Sequence, residues 1–171
     1  EESRNIVALA ELGEAESFSG QFQSNAGQQV AFPRNELNTA YKELQTTYGG
    51  LREIKNATSE LDAAGLNLGT DYEKIENARL LSPREYDFNE KLGYISLNSV
   101  LNNDEVLAVA YEFTYRGQTY RVGELSNASG VSAPQTLILK LIKPSNFTPQ
   151  SYTWDLMMKN VYSIGAYQVQ Q

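Results

Sequence analysis

Residues Val106 to Tyr115 read VLAVAYEFTY, and this run carries the strongest structural signal in the chain. Its odd positions, Leu107, Val109, Tyr111, Phe113 and Tyr115, are large and apolar, while its even positions, Val106, Ala108, Ala110, Glu112 and Thr114, are smaller and turn polar. A period of two belongs to a β-strand with one face on a core. The pattern therefore predicts one continuous strand whose Leu107, Val109, Tyr111 and Phe113 face the interior. Arg116-Gly117 follows, with a glycine free to take positive φ, and Thr119 to Gly123 reads as the return strand of a hairpin.

On either side the same reading continues. Upstream, Tyr86 and Phe88 alternate with Asp87 and Asn89, and Tyr94 to Leu97 makes a second short strand after Gly93. Downstream, Ser126 to Ala133 is a loop by composition, and Thr136 to Ile142 is a strand closed by Lys143-Pro144. Trp154, Met157, Met158, Val161 and Tyr162 fall at helical spacing, which predicts a helix near 154–163 stopped by Gly165; Ala166 to Val169 starts one more strand. Toward the N-terminus, Leu37, Tyr41, Leu44, Tyr48 and Leu51 recur at steps of four and three after a candidate N-cap at Asn35, and Ile54, Ala57 and Leu61 extend the stripe. Gly49-Gly50 interrupts it, so residues 36–64 form either one bent helix or two helices. Residues 1–35 read as mostly loop, with Ile6 to Ala10 their one strand-like run. The expected fold is α+β: an antiparallel sheet or small sandwich of five to seven strands, with an inserted helical segment and a helix on its C-terminal side.

At 171 residues the chain fits one domain, 1–171, large enough to bury roughly 70% of its unfolded surface without disulfides or a structural metal. It contains no Cys and no His, which excludes Cys or His nucleophiles, Ser-His triads and Cys/His metal centres. With 14 Lys+Arg against 21 Asp+Glu the net charge is −7, and no run of basic residues could neutralise successive phosphates, so nucleic acid is not an expected partner. The strongest apolar run, Val106 to Tyr111, falls far short of the roughly 20 residues of a membrane helix. The chain begins at Glu1 with no basic and apolar leader, and is read as a soluble piece excised from a larger chain.

Few constellations suggest chemistry. Asn102-Asn103-Asp104-Glu105 gathers four oxygen-bearing side chains that could suit a hard cation, but these are equally the residues of a turn before a strand, and the spacing of a calcium loop is missing. Acidic residues are numerous enough for a two-carboxylate glycosidase, yet no spacing selects a pair. No catalytic residue, metal ligand or cofactor site is assigned. Tyr152 and Trp154 are the aromatics best placed outside the strand pattern to stack on a sugar, which makes a carbohydrate-binding module of a surface protein the alternative function; Trp154 also heads an apolar helical stripe and fits a core equally. Met157-Met158 reads as core filling or an adaptable contact, and open sheet edges offer another surface for partners. Three glycosylation sequons, at Asn56, Asn127 and Asn146, are expected by chance in a chain rich in Asn, Ser and Thr.

Several stretches have a more specific wording. LGYISLN (Leu92 to Asn98), DEVLAVAYE (Asp104 to Glu112), DYEKIENAR (Asp71 to Arg79), YRVGELS (Tyr120 to Ser126), QTLILKL (Gln135 to Leu141) and WDLMMKNVYSIGAYQ (Trp154 to Gln168) occur in this chain. They resemble, in the same order, the repeated soluble domain of the SprA N-terminal type in the SprA/Sov family of giant outer-membrane proteins of Bacteroidetes gliding motility and type IX secretion. The resemblance spans roughly residues 70 to 170; residues 1–60 match only loosely. It implies a noncatalytic, structural and protein-binding role in a protein-transport translocon. The implied partners are the rest of its own large chain, small outer-membrane plug or shuttle proteins, and cargo with a C-terminal sorting domain. The implied location is the cell surface or outer membrane. Because outer-membrane barrels keep short turns on the periplasmic side and longer loops outside, a domain of this size is expected at the extracellular rim.

Overall fold

The computed structural model describes residues 3–27, 32–128 and 130–158. The fold is α+β. Its strands are β1 (Arg4–Leu9), β2 (Tyr72–Ala78), β3 (Tyr86–Asn89), β4 (Tyr94–Leu97), β5 (Leu107–Val109), β6 (Tyr111–Tyr115), β7 (Gln118–Val122) and β8 (Leu137–Lys143), and its helices are α1 (Ala40–Thr46) and α2 (Ile54–Ala63). The strands form a four-stranded sheet in the order β2-β1-β8-β5 and two separate two-stranded hairpins, β3-β4 and β6-β7.

The main sheet is mixed, not wholly antiparallel as the hairpin signals suggest. β1 runs parallel to β8, with Ile6 opposite Leu137 and Leu9 opposite Lys140, while β1-β2 and β5-β8 are antiparallel. Everything between Ala10 and Thr136 serves as the connection, ample for the crossover that parallel neighbours require. The N-terminal stretch, read as mostly loop, thus supplies a central strand. Val7 and Ala8 are fully buried and Ile6, Leu9 and Ala10 nearly so, because β1 has sheet partners on both edges and cover on both faces. Past β1, the described residues up to Arg34 are irregular apart from a bridge between Ser24 and Asn38.

The core lies on the helical face of this sheet. Val7 and Leu9 of β1, Tyr72 of β2 and Ile138 of β8 pack with Ala40 and Leu44 of α1, Leu51 of the turn between the helices, Ala57 and Leu61 of α2, and Val122 at the end of β7. A smaller cluster on the opposite face joins Ala8, Ala10 and Leu141 to the half-buried Val106 and Ala108. The helical segment resolves into two helices, separated by a 3-10 turn at Gly49–Arg52. Asn35 is not a helix cap. It sits in a 3-10 turn, its Oδ1 accepting the Gly123 amide at 2.8 Å, and Asn38 Oδ1 takes the Ala40 amide at 3.0 Å as α1 begins.

The strand expected over 106–115 is broken at Ala110. Val109 pairs with Lys140 in the main sheet, whereas Tyr111 pairs with Val122 in the β6-β7 hairpin. Leu107, Val109, Tyr111 and Phe113 are only half-buried, Tyr111 at the margin of the main core and Phe113 against Tyr120, so they are not the core the pattern predicts. The break coincides with a close approach. Gly123 has φ +76, and a Cβ there would lie 3.0 Å from Ala110 Cβ, 3.2 Å from Ala110 Cα and 3.3 Å from the Val109 carbonyl oxygen. Gly123→Ala is therefore expected to cost about 2–4 kcal/mol, from the left-handed backbone and the contact with backbone atoms together. Gly117→Ala, at φ +78 in an open turn with nothing near, should cost about 1–2 kcal/mol, a difference that urea titration of the two variants would read. Arg116 and Gly117, at φ 50 and 78, make the tight turn read from the sequence.

The helix expected near 154–163 begins as a 3-10 turn, Tyr152–Leu156, and the backbone is already extended at Met157 (φ −73, ψ 136). Met157 and Met158 are 43% and 48% exposed, not core filling. Val161 and Tyr162, and the strand expected at Ala166 to Val169, lie outside the described residues. β2 was not visible as alternation, since Glu73, Lys74 and Glu76 interrupt its apolar positions. Among the described residues no helix is long and apolar enough to cross a membrane.

Candidate contact surface

The densest polar cluster centres on Glu124, whose side chain is 1% exposed. Arg52 clasps it in two-pronged fashion, Nη1 to Oε2 at 2.7 Å and Nη2 to Oε1 at 2.6 Å. The Ile138 amide donates to Oε2 at 2.8 Å and the Tyr41 hydroxyl to Oε1 at 3.0 Å. Arg52 Nη1 also donates to the Thr136 carbonyl at 2.8 Å. Every oxygen of this carboxylate is engaged by the fold, so the cluster ties the helical segment to β8 and leaves no group facing a substrate. Burial, followed by the charge of Glu124, pushes the Tyr41 phenol up to about 12. An unfolded tyrosine loses its proton near 10. Between these values the unfolded chain binds fewer protons than the folded one, so stability should fall as pH rises from about 10 to 12. In alkaline unfolding, that slope is expected to weaken in Tyr41→Phe.

A second buried charge, Lys140, donates to the Ala10 carbonyl and to Glu14 Oε1, the latter at 2.6 Å. Burial lowers its pKa and Glu14 opposes that shift, the pattern of a neutralised core cation. In the Asn102 to Glu105 turn the Glu105 carboxylate is spent internally. Glu105 Oε2 takes the Asn102 amide at 2.7 Å, and Lys143 Nζ, a cation, donates to the Asn103 carbonyl at 2.9 Å. Among the described residues no three acidic side chains gather as a metal site would require. Tyr152 stacks on Phe18 at 5.0 Å and Trp154 leans on Phe147 at 4.9 Å, so each ring covers part of the face a sugar would need.

The surface that stands apart is the excursion between β2 and β5. No residue from Lys74 to Thr119 is buried, although the segment is rich in large apolar side chains. Within it, the β3-β4 register sets Tyr86 opposite Leu97 and Phe88 opposite Ile95 on one face, with Asp87 opposite Ser96 and Asn89 opposite Tyr94 on the other. One face is thus wholly apolar and the other mostly polar. Phe88 is 56% exposed, and in the same stretch of chain Leu80, Leu92 and Val100 are 71%, 75% and 97% exposed. β3 packs substantially on β4 and on no other element. A two-stranded ribbon is marginal by itself in water. Its ends are held instead by polar contacts. Arg79 Nη1 reaches both oxygens of Glu85 at 2.7 and 2.9 Å, the Asn98 amide donates to the Glu85 carbonyl at 2.9 Å, and the Leu92 amide donates to Asn89 Oδ1 at 2.9 Å. The Ser82 amide, and then Arg79, hold the Glu85 carboxyl below its usual range.

The alternation of Tyr86 and Phe88 and the strand Tyr94 to Leu97 were legible in the sequence. That this ribbon lacks a core to sit on was not, since a period of two reports an apolar face without saying what it meets. No protein-family model and no curated protein matches the chain.

Proposed function

We propose that this chain is a noncatalytic structural and protein-interaction domain of a very large outer-membrane translocon of gliding motility and type IX secretion. The support from wording is the run of stretches between Asp71 and Gln168 that resemble the SprA/Sov family. The physical observation that carries the reading is the apolar face of the β3-β4 ribbon, with Phe88 exposed and Tyr86, Ile95 and Leu97 half-buried, on a body whose conspicuous buried charges are consumed by the fold. Apolar side chains clustered on an exposed ribbon mark a place where another protein surface completes the packing. The occupant in this reading is the rest of the domain's own large chain, with outer-membrane plug or shuttle proteins and cargo meeting the assembly beside it. The domain lies at the cell surface, on the extracellular rim of the barrel, where long insertions are accommodated.

The test is a photo-crosslinking amino acid in place of Phe88, with Lys55 on the exposed side of α2 as control, introduced into the parent protein in its native cells. A crosslink from position 88 back into the parent chain, absent from position 55, is expected. No crosslink from position 88, or equal yield from both, would overturn the reading. Phe88→Glu should leave the unfolding midpoint of the chain nearly unchanged, within about 0.5 kcal/mol as for other exposed positions, while weakening assembly of the parent.

A further inference from the structure

We draw no further inference here: the strongest candidate, the uncovered apolar face of the β3-β4 ribbon, belongs to the contact surface already described, and nothing in the structure shows what covers it.

Discussion

Replacing Glu124 with alanine is expected to lower stability by about 3–5 kcal/mol, the cost of stripping one partner from a buried ion pair. The Tyr41 hydroxyl and the Ile138 amide lose their acceptor at once, and the Arg52 guanidinium keeps only the Thr136 carbonyl. For a chain of this length, each kcal/mol moves the midpoint of thermal unfolding by roughly 2–4 °C, so a fall of about 6–20 °C should be read by calorimetry. The double variant Glu124→Ala with Arg52→Met should recover part of the loss, since it no longer leaves a cation desolvated and unpaired. A double variant as unstable as the sum of the singles would mean that the two side chains act independently, against the geometry of the pair.

Val7→Asp should do more, leaving the chain unfolded at 25 °C. Val7 is fully buried among Leu44, Leu61 and Ile138, where a carboxylate has neither water nor a cation. The cost approaches the whole of an ordinary folding free energy, about 5–15 kcal/mol. Val109→Asp is the informative comparison, since the alternation of 106–115 makes Val109 a core residue. In the fold Val109 is half-buried on a three-residue edge strand, and its substitution should cost only about 1–2 kcal/mol. Circular dichroism showing Val109→Asp unfolded and Val7→Asp folded would reverse the location of the core.

These contrasts mark how far the sequence could be read. Hairpins were legible because alternation and a turn with its glycine are local: Tyr115 meets Gln118 across Arg116-Gly117, as the sequence suggests. The helical stripe from Leu37 to Leu61 was legible for the same reason, down to the interruption at Gly49-Gly50. What local pattern could not show is which elements meet. β1 is short, has no alternation and is followed by glycines and polar residues, so its place at the centre of the sheet depends on two distant strands, β2 and β8, the latter over a hundred residues later. The break at Ala110 lies against Gly123, just past the end of β7. No local pattern marks Glu124 and Lys140 as buried, and their partners Arg52 and Glu14, distant in sequence, accompany their burial. The contact surface was half legible: the strands of the ribbon were, and its lack of cover was not.

Amide hydrogen exchange on the free chain, and on the same segment inside its parent assembly, tests the contact role most directly. In the free chain, amides of Tyr86 to Leu97 should exchange far faster than those of Val7 to Leu9 and Ile138 to Leu141, because the ribbon opens without disturbing the core. In the assembly the ribbon amides should become slow while the core amides keep their rates. Ribbon amides that exchange equally fast in both states would contradict a domain whose work is done through that face.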